Sequence, residues 1–464
     1  MTNSIIQTLT PIDGSVIFET GSASHQAIEQ ALHAGRAARS ELCALSIAQR
    51  KSICSKALAI LAEQGEDIAN EITRQMGRPI SHSASEIGGV VERANYMISI
   101  AEPALADHIP DSIDGSKRFI RFAPQGTVLL VAPWNYPMLT IANALFPALL
   151  AGNNVIVKPS SQTPLSTQRY VDAFDAAGLP AGALQCLHMD HASTEQLLKS
   201  KSVDFLCFTG SVNAGRKLGT LAAERFIGAG LELGGKDPAY VLSDADIDHS
   251  VAQLVDGAFY NAGQSCCGIE RIYVHESRFE QFVEQYADLV GQYQLGNPLE
   301  ANTNLGPVVK RAAADFVRQQ TAEACKQGAR TLIDPARYPI DTGDSAYLMP
   351  QVLIDVDHSM GIMREESFGP VVGIMAVKSD DEAVAMMNDS NLGLTASLWT
   401  SDLGLAETLG DRLQTGTVFM NRCDYLDPAL AWTGVKDTGV GVSLSPLGFK
   451  QLTRAKSFNL KVSL

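Results

Sequence analysis

The sequence predicts an α/β protein made of two successive strand–helix alternations and a terminal strand. Three observations lead there. From about residue 126, short apolar runs alternate with amphipathic stretches, the pattern of a parallel sheet with helices on both faces. A second alternation of the same kind begins at Tyr240. In the tail, Phe458, Leu460, Val462 and Leu464 alternate with Ser457, Asn459, Lys461 and Ser463, which reads as a strand with one buried face.

Residues 24–104 hold long 3.6-residue periodicities, as over 47–62, and are expected to be mainly helical. The runs 127–132 and 154–157 are expected as buried strands, with a helix at 138–151 between them. That helix contains the longest apolar stretch, but Asn143 and Pro147 interrupt it and it is too short to cross a bilayer. A second helix follows at 163–177, then strands at 184–187 and 203–208, the latter running into Thr209-Gly210-Ser211. A helix through Leu221 and a run at 228–233 complete the first alternation. Ligands on such sheets lie at the carboxyl ends of the strands. The second unit carries helices around 277–293 and 309–327. The terminal strand needs a sheet to join, and another subunit's sheet would serve.

A chain of 464 residues suggests two or three domains at about 150 residues each. Its 45% apolar and 19% charged residues are those of an ordinary globular protein. A formal charge of −15 argues against nucleic-acid and anionic-membrane partners, which need a basic surface. The opening MTNSIIQTLT lacks the basic and apolar blocks of a signal peptide, so a cytoplasmic location is expected. Eight cysteines without a C-x-x-C pair suggest reduced thiols rather than zinc ligands or a disulfide framework. His188-Met-Asp-His191 lacks companion ligands and reads as a polar loop, so no metal is expected.

Four segments carry chemistry: Pro133-Trp134-Asn135-Tyr136-Pro137, Glu232-Leu233-Gly234-Gly235-Lys236, Gly263-Gln264-Ser265-Cys266 and Glu366-Ser367-Phe368-Gly369-Pro370. Each alone has an ordinary reading. A lone cysteine is usually a small buried hydrophobe, a glutamate before Gly-Gly a loop carboxylate, and an asparagine between prolines a turn residue. In this order, however, they resemble the aldehyde dehydrogenase superfamily, over nearly the whole chain. The resemblance implies a Rossmann-like dinucleotide-binding domain (1–105 and 125–234), an α/β catalytic domain (235–437) and a small β oligomerisation arm (106–124 with 438–464). It also implies a homodimer or homotetramer acting on a small-molecule aldehyde.

The resemblance makes Cys266 the nucleophile, a thiolate being strongly nucleophilic even when partly ionised. Cys267 is expected to point elsewhere. The Asn135 amide and the Cys266 N–H would hold the oxyanion, hydride would pass to a nicotinamide, and Glu232 would activate water against the thioester. Relatives that pass the acyl group to coenzyme A generally lack this glutamate. An acylating enzyme and a non-catalytic binding protein on the same fold are therefore the weaker alternatives.

Gly210-Ser-Val-Asn-Ala-Gly215 follows a strand and opens a helix, so its N–H groups can face a pyrophosphate. Alone it is also an ordinary tight turn, and it matches neither the G-x-G-x-x-G nor the P-loop pattern. By resemblance Glu366 holds the nicotinamide ribose, Phe368 braces it and Lys158 reaches the adenosine ribose. Pro133, Trp134, Ser160, Ser161, Gly210, Ser211, Gly215 and Leu233 join them as cofactor-binding positions.

Two departures matter. Many NAD-using relatives carry glutamate where this chain has Ser161. A serine removes the repulsion of a 2′-phosphate, so NADP is expected to be accepted at least as well as NAD. Relatives also carry a proton-relaying glutamate where this chain has Ser443. The mouth loop, Asn421 to Pro428, offers Arg422 to a carboxylate, Asp424 and Asp427 to an amine, and Tyr425 to an apolar chain. With Tyr136, Tyr260 and Trp432 as aromatic walls, a medium-sized neutral aldehyde is the expectation.

Overall fold

Buried apolar strands and intervening helices assemble into two parallel sheets in the computed structural model, which describes residues 4–111, 113 and 115–461. Four helices, His25–Ala44, Ile47–Glu63, Gly65–Met76 and Ile80–Leu105, precede them, as the long periodicities predicted. An N-terminal hairpin, Ile5–Leu9 with Val16–Gly21, has no counterpart in the sequence expectations.

The first sheet has six strands in the order Gly439–Val440, Gly228–Glu232, Phe205–Thr209, Thr127–Val131, Asn154–Lys158 and Leu184–Cys186. All neighbours are parallel except Gly439–Val440. Thr127–Val131 and Asn154–Lys158 are buried throughout, as strands covered on both faces must be. Val128 and Leu130 pack into one apolar cluster with the helices Ile80–Leu105 and Leu139–Ala151. Leu129 and Val131 face the opposite cluster, with Ile28, Leu32, Leu218 and Leu221. Strand order reverses between Thr127–Val131 and Phe205–Thr209, a topological switch point where a ligand crevice forms at the carboxyl ends.

The second sheet has seven strands: Arg330–Thr331, Gln351–Ile354, Val371–Val377, Ile269–His275, Asp237–Val241, Thr395–Trp399 and Thr417–Met420. All but the first are parallel. Residues 233–236 carry the chain from the carboxyl end of Gly228–Glu232 to the amino end of Asp237–Val241. Cys266 and residues 366–368 likewise precede the amino ends of Ile269–His275 and Val371–Val377. The carboxyl edge of one sheet therefore meets the amino edge of the other, and every segment singled out in the sequence lies along that seam.

The segment 438–464 divides. Gly439–Val440 join the first sheet, with Gly439 opposite Glu232. The helix Ser445–Gln451 packs on Ile80–Leu105. Thr453–Lys461 pairs antiparallel with Ser116–Pro124 of the same chain, from Thr453 opposite Pro124 to Lys461 opposite Ser116. The premise that the tail has no sheet of its own is thereby corrected. Residues 106–124, grouped with this tail only through the resemblance, show no strand pattern of their own because Lys117, Arg118 and Arg121 break any apolar alternation. The rings of Phe119 and Phe458 stack at 4.4 Å across this ribbon; residues 462–464, part of the predicted strand, lie outside the described residues. Among the described residues no helix is long and apolar enough to cross a membrane.

Gly439 has φ 123°, and a Cβ there would stand 2.0 Å from the Leu231 carbonyl oxygen. Gly439→Ala is expected to loosen the strand beside Glu232 and cost about 1–3 kcal/mol. Calorimetry should show Tm falling by several degrees; an unchanged Tm would mean that the edge strand contributes nothing to stability.

Candidate active site

The nucleophile loop begins where the helix Ile247–Phe259 ends. Asn261, Ala262 and Gly263 take φ of 53°, 55° and 69°, a left-handed turn that costs about 1–2 kcal/mol per non-glycine residue. A Cβ at Gly263 would stand 2.2 Å from the Gly369 carbonyl oxygen, so only glycine fits the end of the turn. Gln264 fastens the loop beyond the turn: its Oε1 accepts from Val309 N at 2.7 Å and its Nε2 donates to Asn261 O at 3.1 Å. The Cys266 carbonyl packs against Gly235, where a Cβ would approach it to 2.2 Å. Cys266 is left partly exposed.

Asn135 is buried and reaches the same loop, its Nδ2 donating to Gln264 O at 3.2 Å. A side-chain amide has two N–H donors, so one remains for a ligand. The Asn135 carbonyl accepts from Asn261 Nδ2 at 3.3 Å and from Arg78 Nη2. Arg78 also donates from Nε to Asn261 Oδ1 at 3.1 Å and forms a buried ion pair with Glu86. Glu86 Oε1 accepts from the N–H groups of Met138 and Leu139, at 2.8 and 3.0 Å, where the helix Leu139–Ala151 begins. A carboxylate at a helix N-terminus is favoured by the free N–H groups and the helix dipole.

Glu232 ends its strand with both oxygens occupied. Oε1 accepts from Ser443 Oγ at 2.5 Å and Oε2 from Thr209 Oγ1 at 3.0 Å. Burial pushes the carboxyl pKa up; the two hydroxyls and the charge of Arg93 pull it back. Ser443, marked in the sequence only by the lack of a relay glutamate, is thus a direct partner of Glu232.

Cys266 and Glu232 share a cavity of about 290 Å³, walled by Tyr136, Tyr260 and Trp432 as expected. From the mouth loop, Asp424 and Tyr425 line it. Arg422 instead lies over the Tyr425 ring at 3.8 Å, and Asp427 accepts from Ala429 N at 2.8 Å. Cys267 does not point elsewhere: it is buried but lines the same cavity, donating from Sγ to Asp424 Oδ1 at 2.7 Å. Burial pushes the Asp424 carboxyl up to about 7.

The remaining positions lie along the carboxyl edge of the first sheet. Pro133 and Trp134 come after Thr127–Val131, Lys158, Ser160 and Ser161 at the end of Asn154–Lys158, and Gly210 and Ser211 after Phe205–Thr209. Ser211 caps the helix Val212–Ala223, accepting from Ala214 N at 3.4 Å. Gly215 lets that helix approach Leu233, whose Cδ2 lies 2.4 Å from where a Cβ would be. Lys158 is only 8% exposed, and among the described residues its ammonium has no ion-pair partner. The Ser161 carbonyl accepts from Thr8 Oγ1 at 2.6 Å, which ties the N-terminal hairpin to this loop. A buried cation without an ion-pair partner among the described residues, a capped helix N-terminus and a switch-point crevice fit a dinucleotide.

On the side of the second sheet, Glu366 Oε1 accepts from Gly235 N at 3.0 Å, and burial, then the charge of Glu270, pushes its carboxyl up to about 7. Trp134 and Phe368 meet edge to face at 5.6 Å. Beneath them Glu270 pairs with Lys236 at 2.5 Å and accepts from the N–H groups of Ser367 and Phe368 at 2.8 and 2.9 Å. That holds Phe368 at φ 52°.

Sequence reasoning gave no role to Arg78, Glu86, Arg93, Thr209, Lys236 or Glu270. For Glu86 and Arg93 a signal exists: both fall on the buried stripe of Ile80–Leu105, among Ser83, Ile87, Val90, Ala94 and Met97. Charges on an apolar stripe are costly unless paired or used.

The model of the aldehyde dehydrogenase family matches residues 1–458. The succinate semialdehyde dehydrogenase [NAD(P)+] Sad of Escherichia coli K12 is 33% identical, over 84% of each chain. Betaine aldehyde dehydrogenase 1 of Rhizobium meliloti 1021 is 30% identical, covering 98% of this chain and 93% of its own. The solved aldehyde dehydrogenase of Brucella melitensis biovar abortus 2308 is 29% identical, with a TM-score of 0.95 over 99% of this chain and 95% of that one. With the family model matched over residues 1–458 and the fold shared with a solved aldehyde dehydrogenase, the chain belongs to the aldehyde dehydrogenase family.

Proposed function

We propose that this chain oxidises an aldehyde to a carboxylic acid through a thioester on Cys266, with NAD or NADP as hydride acceptor. One observation carries the reading: Cys266 and Glu232 face one cavity while the Asn135 amide is fastened to the Cys266 loop. Sulfur attack on the carbonyl carbon makes an oxyanion, which accepts from the second Asn135 N–H and from the Cys266 N–H. One such donor is worth about 3–4 kcal/mol. A nicotinamide held by Glu366, Phe368 and Trp134 would supply the acceptor for the hydride that leaves the substrate carbon as the oxyanion collapses. Glu232 then removes a proton from water, the hydroxide adds to the thioester carbon, and the Cys266 thiolate leaves.

Glu366, Phe368, Trp134, Pro133 and Leu233 are assigned to the nicotinamide end. Lys158, Ser160 and Ser161 are assigned to the adenosine ribose, and Gly210, Ser211 and Gly215 to the pyrophosphate turn. The ribbon of Ser116–Pro124 and Thr453–Lys461 is assigned to contact with a second copy of the chain, since a two-stranded ribbon is marginally stable alone. The free thiols fit the cytoplasm.

Glu232→Gln should give a stoichiometric burst of reduced cofactor followed by a slow steady state, and Cys266→Ala should give neither. Stopped-flow absorbance reads both; loss of the burst in Glu232→Gln would remove Glu232 from deacylation.

Water activation needs the Glu232 carboxylate, whose pKa burial raises and the Ser443 hydrogen bond lowers. Ser443→Ala should raise it further, so the acid limb of kcat should move to higher pH, with the largest loss of rate on the acid side. An unmoved limb in steady-state pH profiles would mean that Ser443 does not tune Glu232.

Ser161→Glu places a carboxylate beside the ribose, where like charge disfavours a 2′-phosphate. The ratio of kcat/KM for NAD over NADP should rise at least about tenfold. An unmoved ratio would place the adenosine ribose elsewhere.

A further inference from the structure

The cavity that reaches Cys266 is lined by several charged side chains, and most are already satisfied. Arg78 and Glu86 pair with each other. Asp424 accepts from Cys267 at 2.7 Å and Ser265 at 3.4 Å, Glu92 accepts from Tyr425 Oη at 2.8 Å, and Glu232 accepts from two hydroxyls. Asp256 stands on the rim, its residue surface open to solvent while partial burial of the carboxyl pushes its pKa up.

Arg93 is different. It is 8% exposed, it lines the cavity, and it comes from the buried stripe of Ile80–Leu105. Among the described residues its guanidinium makes one hydrogen bond, from Nη1 to Asn143 Oδ1 at 3.0 Å, and no ion pair. A guanidinium has five N–H donors in a planar fork suited to a carboxylate. Glu232 and Asp424 act on it only from beyond ion-pair distance; burying such a charge without a contacting anion is expensive, and Asn143, buried on the helix Leu139–Ala151, fixes one arm of the fork. The remaining donors are left to the cavity. With about 290 Å³ available, at the low end of ligand pockets, an occupant reaching from Cys266 to Arg93 is short.

We propose that Arg93, oriented by Asn143, binds a carboxylate at the far end of the substrate, so that the aldehyde oxidised is a short anionic semialdehyde rather than a neutral one. This rests on the dehydrogenase reading of the same cavity and adds the charge of its substrate. The bidentate ion pair forms only when the substrate is in place, so it positions the carbonyl over Cys266 as it neutralises the buried cation.

The experiment compares three aldehydes with a four-carbon chain and different ends: succinic semialdehyde, butanal and 4-(trimethylammonio)butanal, each with NAD and with NADP. The wild type should favour succinic semialdehyde over butanal in kcat/KM by at least about tenfold, the scale of one charge-assisted hydrogen bond. Arg93→Met should collapse that ratio, and Arg93→Lys should restore part of it. Thermal melts establish that the variants are folded, and calorimetric titration with succinate reads anion binding without turnover: heat with the wild type, none with Arg93→Met. A wild type that prefers butanal or the cationic aldehyde overturns the proposal. So does an equal loss for all three aldehydes in Arg93→Met, which would assign Arg93 to Glu232 instead. If no aldehyde is oxidised, the dehydrogenase reading fails on its own, and the succinate titration still decides Arg93.

Discussion

The buried pair of Arg78 and Glu86 joins the parts on which the site depends. A buried ion pair contributes little net stability, but removing one partner leaves an uncompensated charge. Here the pair has further obligations. Glu86 holds the first N–H groups of the helix Leu139–Ala151, and Arg78 holds the Asn135 carbonyl and the Asn261 side chain. Asn135 follows a strand of the first sheet, and Asn261 lies in the turn that presents Cys266. One ion pair thus fixes the Asn135 amide against the Cys266 loop across the seam. The left-handed turn at 261–263 would not persist without such over-determination.

A similar device serves the other end of the seam. The Lys236–Glu270 pair is enclosed, and Glu270 spends its remaining acceptors on the N–H groups of Ser367 and Phe368. Each sheet edge therefore meets the other through an ion pair whose carboxylate also holds backbone. Arg93 breaks this pattern. It is the buried cavity charge that no carboxylate among the described residues meets at ion-pair distance, and Asn143 presents it rather than neutralises it.

Much of the fold was legible in the sequence because it rests on local periodicity. The strands Thr127–Val131, Asn154–Lys158 and Phe205–Thr209 are near-continuous apolar runs, and the helices between them are long enough to show their period. The hairpin at 5–21 and the strand Ser116–Pro124 were not legible, being half exposed and interrupted by polar residues. In the site, the motif residues stood out by their order along the chain. Their supports did not: Thr209, Ser443 and Glu270 become partners only when distant segments meet, and Cys267 was misread because adjacency says nothing about which wall a thiol faces. Glu86 and Arg93 could have been found as charges on an apolar helical stripe.

The antiparallel strand Gly439–Val440 has a consequence for how the chain is made. Glu232 and its strand are translated well before the edge strand that covers them, and Ser443 arrives later still. Roughly 200 residues intervene, about 10–40 s of synthesis at typical rates. During that interval the first sheet presents an uncovered strand edge, a template for mispairing, while the second sheet assembles as an insertion between its strands. The surroundings of Glu232 are thus completed by the last tenth of the polypeptide, and a chain that ends before residue 440 leaves the first sheet still open on the side of Glu232.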